Sequence, residues 1–185
     1  MIEPSYERGL ECFITRQQIQ QRVSDLGSEI SRDFAGQSVV LIGVLKGAAI
    51  FVADLARAIN LDCTFDFLAV SSYGVAMRSS AVRLIKDVDL PIDGKNVILV
   101  EDILDTGRTL CYLKNMLLAQ GPATLKIAAF LDKPERRLCG IQADYVGFVI
   151  PNRFVVGYGM DFAERYRNLP DIYFMPAEPP TDIWE

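Results

Sequence analysis

The sequence predicts an α/β fold with a mostly parallel central sheet flanked by helices. Two observations carry that prediction. Ser38–Leu45 and Asn96–Val100 are apolar, β-branched runs without alternation, the pattern of strands buried on both faces of a parallel sheet. Segments with helical periodicity fall between such runs, giving the order strand, helix, strand, loop, strand, helix, strand.

The elements follow in order. Thr15-Arg16-Gln17-Gln18 has the form of a capping box, and the pattern to Arg32 fits an amphipathic helix. After the strand at 38–45, Gly47–Ile59 reads as a helix stopped by Asn60. Asp62–Val70 is a strand, Ser71–Ser80 a Ser-, Gly- and Ala-rich mobile loop, Ala81–Val88 a strand, and Leu90–Gly94 a turn. Thr109–Gln120 is a helix ended by Gly121-Pro122, and Thr124–Leu131 is the next strand. Short strands are expected at Tyr145–Val149 and Phe154–Tyr158.

Composition narrows the function classes. The 185 residues are 50% hydrophobic, with a net charge of −5, which disfavours a general nucleic-acid or anionic-membrane surface. No His is present, so His bases, triads and metal ligands are excluded together. The longest uncharged stretch, Phe34–Leu45, is about a dozen residues against the roughly 20 that a membrane helix needs. The start, Met1-Ile2-Glu3-Pro4, has no signal-peptide pattern. Cys12, Cys63, Cys111 and Cys139 form no C-x-x-C pair, and reduced thiols in a cytoplasmic protein are expected.

The segment richest in chemistry is Val97 to Leu110: a buried strand, two adjacent carboxylates (Glu101 and Asp102), and a Thr/Gly loop opening a helix. Ligands of open α/β sheets bind beyond the carboxyl ends of strands. There Asp105-Thr106-Gly107-Arg108-Thr109 would gather backbone N–H groups, two hydroxyls and a helix N-terminus around an anion such as a phosphate monoester. Glu101 and Asp102, expected just outside the strand, suit Mg²⁺ or a ribose diol. No G-x-G-x-x-G or G-x-x-x-x-G-K-[ST] is present.

That string resembles the phosphoribosyl-diphosphate signature of the type I phosphoribosyltransferases, particularly their hypoxanthine-guanine branch. Leu45-Lys46-Gly47, Ser72-Tyr73-Gly74, Asp132-Lys133-Pro134, Val146–Asp161 and Tyr166-Arg167-Asn168-Leu169-Pro170 extend the resemblance from about residue 10 to residue 175. It implies one domain over 1–185, with a core of about 36–145 and a small hood subdomain from about 1–14 and 146–185.

The reaction implied is Mg²⁺-dependent transfer of the phosphoribosyl group from phosphoribosyl diphosphate to an oxo-purine base, in a homodimer or homotetramer with neither nucleic acid nor membrane as partner. By resemblance, residues 105–109 hold the 5′-phosphate, with Arg108 either adding charge or facing solvent, and Asp105 is the general base. Glu101 and Asp102 face the ribose hydroxyls and a metal. Leu45, Lys46 and Gly47 meet the pyrophosphate, with a Leu-Lys peptide that can be cis or trans in the family, and Arg167 reaches the same group. Asp161 binds a second metal and approaches C2 of the base. Phe154 stacks on the purine, the Val155 backbone reads its edge, and Ser72 and Tyr73 close over the reaction centre.

Gln142 stands where many members are expected to have a Lys that contacts the 6-oxo group; its amide donates without a charge, and Arg136 or Arg137 are alternative cations. A xanthine-preferring sister enzyme, and a regulator retaining the fold to bind nucleic acid, are the competing readings.

Overall fold

The computed structural model describes residues 9–73 and 81–176. The chain runs β1 (Glu11–Ile14), α1 (Arg16–Asp33), β2 (Val39–Leu45), α2 (Ala49–Ala58), β3 (Cys63–Tyr73), β4 (Ala81–Lys86), β5 (Asn96–Leu104), α3 (Arg108–Leu118), β6 (Thr124–Asp132), a 3-10 turn (Pro134–Arg136), β7 (Tyr145–Val149), β8 (Val155–Val156) and β9 (Ile172–Phe174). Six strands form one sheet in the order β4-β3-β2-β5-β6-β7, parallel except for β4.

Both faces of this sheet are covered, which is why its central strands are largely apolar. On β5, Ile98 and Val100 pack with Leu26 and Ile30 of α1 and Phe51 and Leu55 of α2. Val97 and Leu99 point the other way, to Leu110, Leu113 and Leu117 of α3. Fully burying each such side chain contributes about 1.5–3 kcal/mol. The capping box forms as expected: Thr15 accepts from the Gln18 amide, and the Gln18 side chain accepts from the Thr15 amide.

Several boundaries depart from the sequence reading. The first core strand starts at Val39, and α2 ends at Ala58 with Ile59, not Asn60, at its carboxyl end. β3 continues through Ser72 and Tyr73 because β4 pairs antiparallel beside it. The loop expected from Ser71 therefore starts later, and residues 74–80 lie outside the described residues. β5 continues past Val100 to Leu104, since β6 keeps offering partners: Glu101 faces Ala129 and Ile103 faces Leu131. Glu101 and Asp102 are thus inside the strand, not just beyond it.

The chain ends form a second sheet, β1-β9-β8, with Phe13 stacked on Phe174 at 4.1 Å. β1 and β9 are absent from the sequence reading, and β8 covers only two of the five residues expected. The expected division at 145/146 cuts through β7, which belongs to the six-stranded sheet. Residues 1–8 and 177–185, including Trp184, lie outside the described residues. Among the described residues no helix is long and apolar enough to cross a membrane.

Candidate active site

The carboxyl ends of β2, β5 and β6 deliver three loops to one edge of the sheet. β2 ends in Leu45-Lys46-Gly47, with a cis Leu45–Lys46 peptide. Gly47 is there because of close approach: a Cβ on it would lie 1.7 Å from Asp102 Oδ2. The Asp102 carboxylate occupies the space that any side chain at 47 would take.

β5 supplies the acids. Asp102 Oδ1 accepts from the Ile103 amide at 2.7 Å. Burial drives its carboxyl up to about 6; the Ile103 amide and Arg167 oppose this, and Asp161 adds to it. Burial, and then the charge of Asp102, push Glu101 well above the usual carboxylate range. Glu101 Oε2 is sealed from solvent without a hydrogen-bond partner. An unsatisfied buried oxygen is costly, which leaves Glu101 able to take a donor or cation from outside the chain.

Beyond Leu104 the chain turns through Asp105 and Thr106 to Gly107, whose φ of +80° favours glycine, and enters α3. No side chain caps α3. Its first-turn N–H groups and the positive end of the helix dipole lie beside two Thr hydroxyls, an arrangement that can receive an anion. Arg108 is exposed at the first helical position, and Thr106 and Thr109 are half-buried. Asp105 accepts from Arg136 Nε at 2.8 Å through Oδ1, and its carbonyl accepts from Arg137 Nη1 at 2.7 Å. Arg137 also pairs with Asp132. Both candidate cations for the base are therefore engaged on and behind this loop.

A cleft of about 190 Å³ joins Asp102, Ile103 and Asp105 to Lys133, Phe154, Val155, Met160 and Asp161. Phe154 is 55% exposed, with Phe162 edge-on at 5.9 Å. A large aromatic ring left bare in a cleft is a stacking platform. Lys133 is 7% exposed, the least exposed charged residue among the described residues. Its Nζ donates to the Arg153 carbonyl at 2.7 Å, and burial lowers its pKa.

Gln142 lies elsewhere. It lines a separate cavity of about 400 Å³ with Asp132, Arg137, Cys139 and Ile141, so the structure does not bring it to Phe154, Val155 and Asp161. Lys133 is in that position instead. Sequence reasoning noted Asp132-Lys133-Pro134 without giving Lys133 a role; its place at the end of β6, beside the strand carrying the acids, was the available signal.

The third wall is a tight loop from the chain's end. Arg167 donates from Nη1 to the Gly159 carbonyl at 2.8 Å and pairs through Nη2 with Asp161 at 2.8 Å. Asp161 Oδ2 accepts from the Glu164 amide at 2.9 Å. Lys46 pairs with Glu164 at 2.9 Å, and that contact lowers the Glu164 pKa. Lys46 and Arg167 thus converge on Glu164, a residue the sequence reading missed. Ser72 and Tyr73 end β3, and the catalytic role expected of their side chains falls outside the described part of the structure.

Comparison with known proteins gives a consistent picture. The phosphoribosyl transferase domain family matches residues 14–163. A protein named hypoxanthine-guanine phosphoribosyltransferase from Streptococcus thermophilus is 44% identical over 169 residues, which cover 91% of this chain and 94% of that protein. The bifunctional protein TilS/HprT of Listeria innocua is 45% identical over 91% of this chain, which spans only 26% of that longer relative. The crystal structure of a hypoxanthine phosphoribosyltransferase from Staphylococcus aureus superposes with a TM-score of 0.91 at 38% identity, covering 100% of both chains.

Proposed function

Because the chain belongs to the phosphoribosyl transferase domain family, we propose that it is an enzyme of purine salvage, transferring the 5-phosphoribosyl group from phosphoribosyl diphosphate to N9 of hypoxanthine or guanine. The observation that carries this reading is the cleft in which a buried cation, a bare aromatic ring and two acids of β5 and its loop face one another: Lys133, Phe154, Asp102 and Asp105.

In this reading the uncapped start of α3 and the Thr106 and Thr109 hydroxyls hold the 5′-phosphate. Asp102 and Glu101 accept from the ribose hydroxyls. Lys46 and Arg167 take the diphosphate, displacing the Glu164 carboxylate that pairs with both. The purine stacks on Phe154, its edge meets the Val155 backbone, and Lys133 donates to the 6-oxo oxygen. A 6-amino group presents N–H bonds to the same ammonium, which has no acceptor, so 6-aminopurines are rejected.

The bond from C1′ to the diphosphate oxygen breaks, and N9 forms the new bond to C1′. The departing electron pair stays with diphosphate, and positive charge on the ribose ring peaks between the two events. Asp105 takes the proton released from N7 of the base. Its hydrogen bond from Arg136 Nε holds the carboxylate in place at the cleft before the base arrives.

A divalent cation such as Mg²⁺ fits the donors present. Glu101 Oε2 lacks a partner, and Asp102 lies beside it in sequence on the same strand. Mg²⁺ usually takes one or two carboxylates and completes its shell with water and substrate oxygens. Asp161 would join such a site only on release from Arg167 and the Glu164 amide. Bound there, the ion supplies charge neutralisation for the leaving diphosphate.

The test is product formation from phosphoribosyl diphosphate with hypoxanthine, guanine, xanthine and adenine in turn, with and without Mg²⁺. Nucleotide from hypoxanthine or guanine is expected, and better use of adenine than of either would refute the base assignment. Asp105→Asn is expected to lower kcat by about 10²–10⁴-fold, the usual worth of a general base, with donor affinity nearly intact; unchanged turnover removes Asp105 from that role. Self-association as a dimer or tetramer completes the proposal and is read by light scattering.

A further inference from the structure

We propose that Cys111 and Cys139 are a redox-sensitive thiol pair, converted by a hydroperoxide to a disulfide that clamps the loop at the start of α3. Their sulfurs are 2.6 Å apart, with Cys111 donating to Cys139. A disulfide bond is about 2.05 Å, so the sulfurs need close by only roughly half an ångström. The other two cysteines are far from this arrangement: Cys12 is on β1 in the three-stranded sheet and Cys63 opens β3.

The surroundings assign the two thiols different parts. Cys139 lines the open cavity of about 400 Å³ beside Gly140 and Arg137, which gives a small oxidant a route to its sulfur. Cys111 is half-buried in the first turn of α3, its amide bonded to the Gly107 carbonyl at 2.8 Å. Burial and the adjacent sulfur push its thiol up to about 11, so it stays protonated until used. Cys139 therefore reacts first: its thiol attacks the peroxide, giving a sulfenic acid and, from hydrogen peroxide, one water. Cys111 then displaces the sulfenic hydroxyl, forming the S–S bond and a second water. Two thiols are oxidised and one peroxide is reduced.

The bond would be felt in the loop. Cys139 Sγ lies 3.8 Å from the Thr106 carbonyl oxygen and 2.8 Å from where a Cβ on Gly107 would be. The Leu138 amide donates to the same Thr106 carbonyl at 3.0 Å. Residues 138–141 are thus the back wall of Thr106 and Gly107. In the reduced pair that wall is joined to the loop by hydrogen bonds alone. In the disulfide it is tied covalently to the helix turn that follows the loop, which fixes the loop in its unliganded form and weakens its closure on an anion. This second half rests on the reading of 105–109 as a phosphate cradle; the thiol chemistry does not.

The test uses the whole chain treated with hydrogen peroxide. Peptide mapping is expected to show Cys111 and Cys139 joined with loss of two hydrogens, reversibly with dithiothreitol. The KM for phosphoribosyl diphosphate should rise by about fivefold or more, the low end of a coupling between linked sites. Cys139→Ser should abolish both effects. Cys111→Ser should leave Cys139 as a sulfenic acid that dimedone traps. Failure of the two to join while Cys12 or Cys63 is oxidised overturns the pair. A joined pair with unchanged KM overturns the clamp. A reduced enzyme that makes no nucleotide strikes the proposed function instead, and the mass map still decides the pairing.

Discussion

Replacing Gly47 by Ala probes the site's tightest contact. The added Cβ would lie 1.7 Å from Asp102 Oδ2, 2.5 Å from its Cγ and 3.2 Å from its Oδ1. Non-bonded heavy atoms settle near 3.5 Å, so the carboxylate must retreat by more than about 1 Å. Retreat strains its 2.7 Å hydrogen bond from the Ile103 amide. Misplacing a positioning group by about 1 Å costs on the order of 100-fold in rate. The fold itself should hold. Gly47 is not among the glycines with positive φ, and the three atoms nearest the added Cβ all belong to the Asp102 side chain. The expected result is a kcat/KM for phosphoribosyl diphosphate reduced about 100-fold or more, measured by nucleotide formation, with a thermal midpoint within a few degrees of the parent. A folded G47A enzyme within tenfold of the parent would refute the seating of Asp102 against Gly47, and with it the role given to that acid.

Lys133→Met should raise the KM for hypoxanthine and guanine by about 10–100-fold, the worth of a charged hydrogen bond, and narrow discrimination against adenine, whereas Gln142→Ala should leave both within about twofold. The reverse pattern would return the base-reading role to Gln142. Asp102→Asn should trade activity for stability. Burial raises the Asp102 pKa from 3.8 to about 6, so between those values the folded chain holds a proton that the unfolded chain has released. Stability therefore falls as pH rises through that window, and ionised Asp102 costs on the order of 3 kcal/mol above it. The Asn variant should be more stable than the parent near pH 8, about equal near pH 4, and poorly active; equal stability near pH 8 would mean that Asp102 is solvated.

Much of the architecture was legible because it is written in local chemistry. The runs at 39–45 and 96–100 are apolar on successive residues, and only a strand covered on both faces uses such a run. The cap at Thr15 and the turn at Gly107 are equally local. What the sequence reading missed is non-local. β1 and β9, four and three residues long, pair with each other across most of the chain, and β9 also pairs with β8. Glu101 and Asp102 look like a strand end by polarity, yet β6 holds them in the ladder.

The sequence by itself determined the chemistry available: an acid pair, a Thr/Gly helix start, and a Leu-Lys-Gly turn, each a short string whose residue types limit what it can bind. The tertiary structure alone decided which of them meet. Parallel strands deliver their carboxyl ends to one edge whatever their separation in the chain, so Lys133 at the end of β6 reaches the cleft, whereas Gln142, nine residues later, faces another cavity. Distance along the chain does not encode side-chain convergence, and burial, which lifts Asp102 and Glu101 out of their ordinary range, exists only once the sheet and its loops have closed around them.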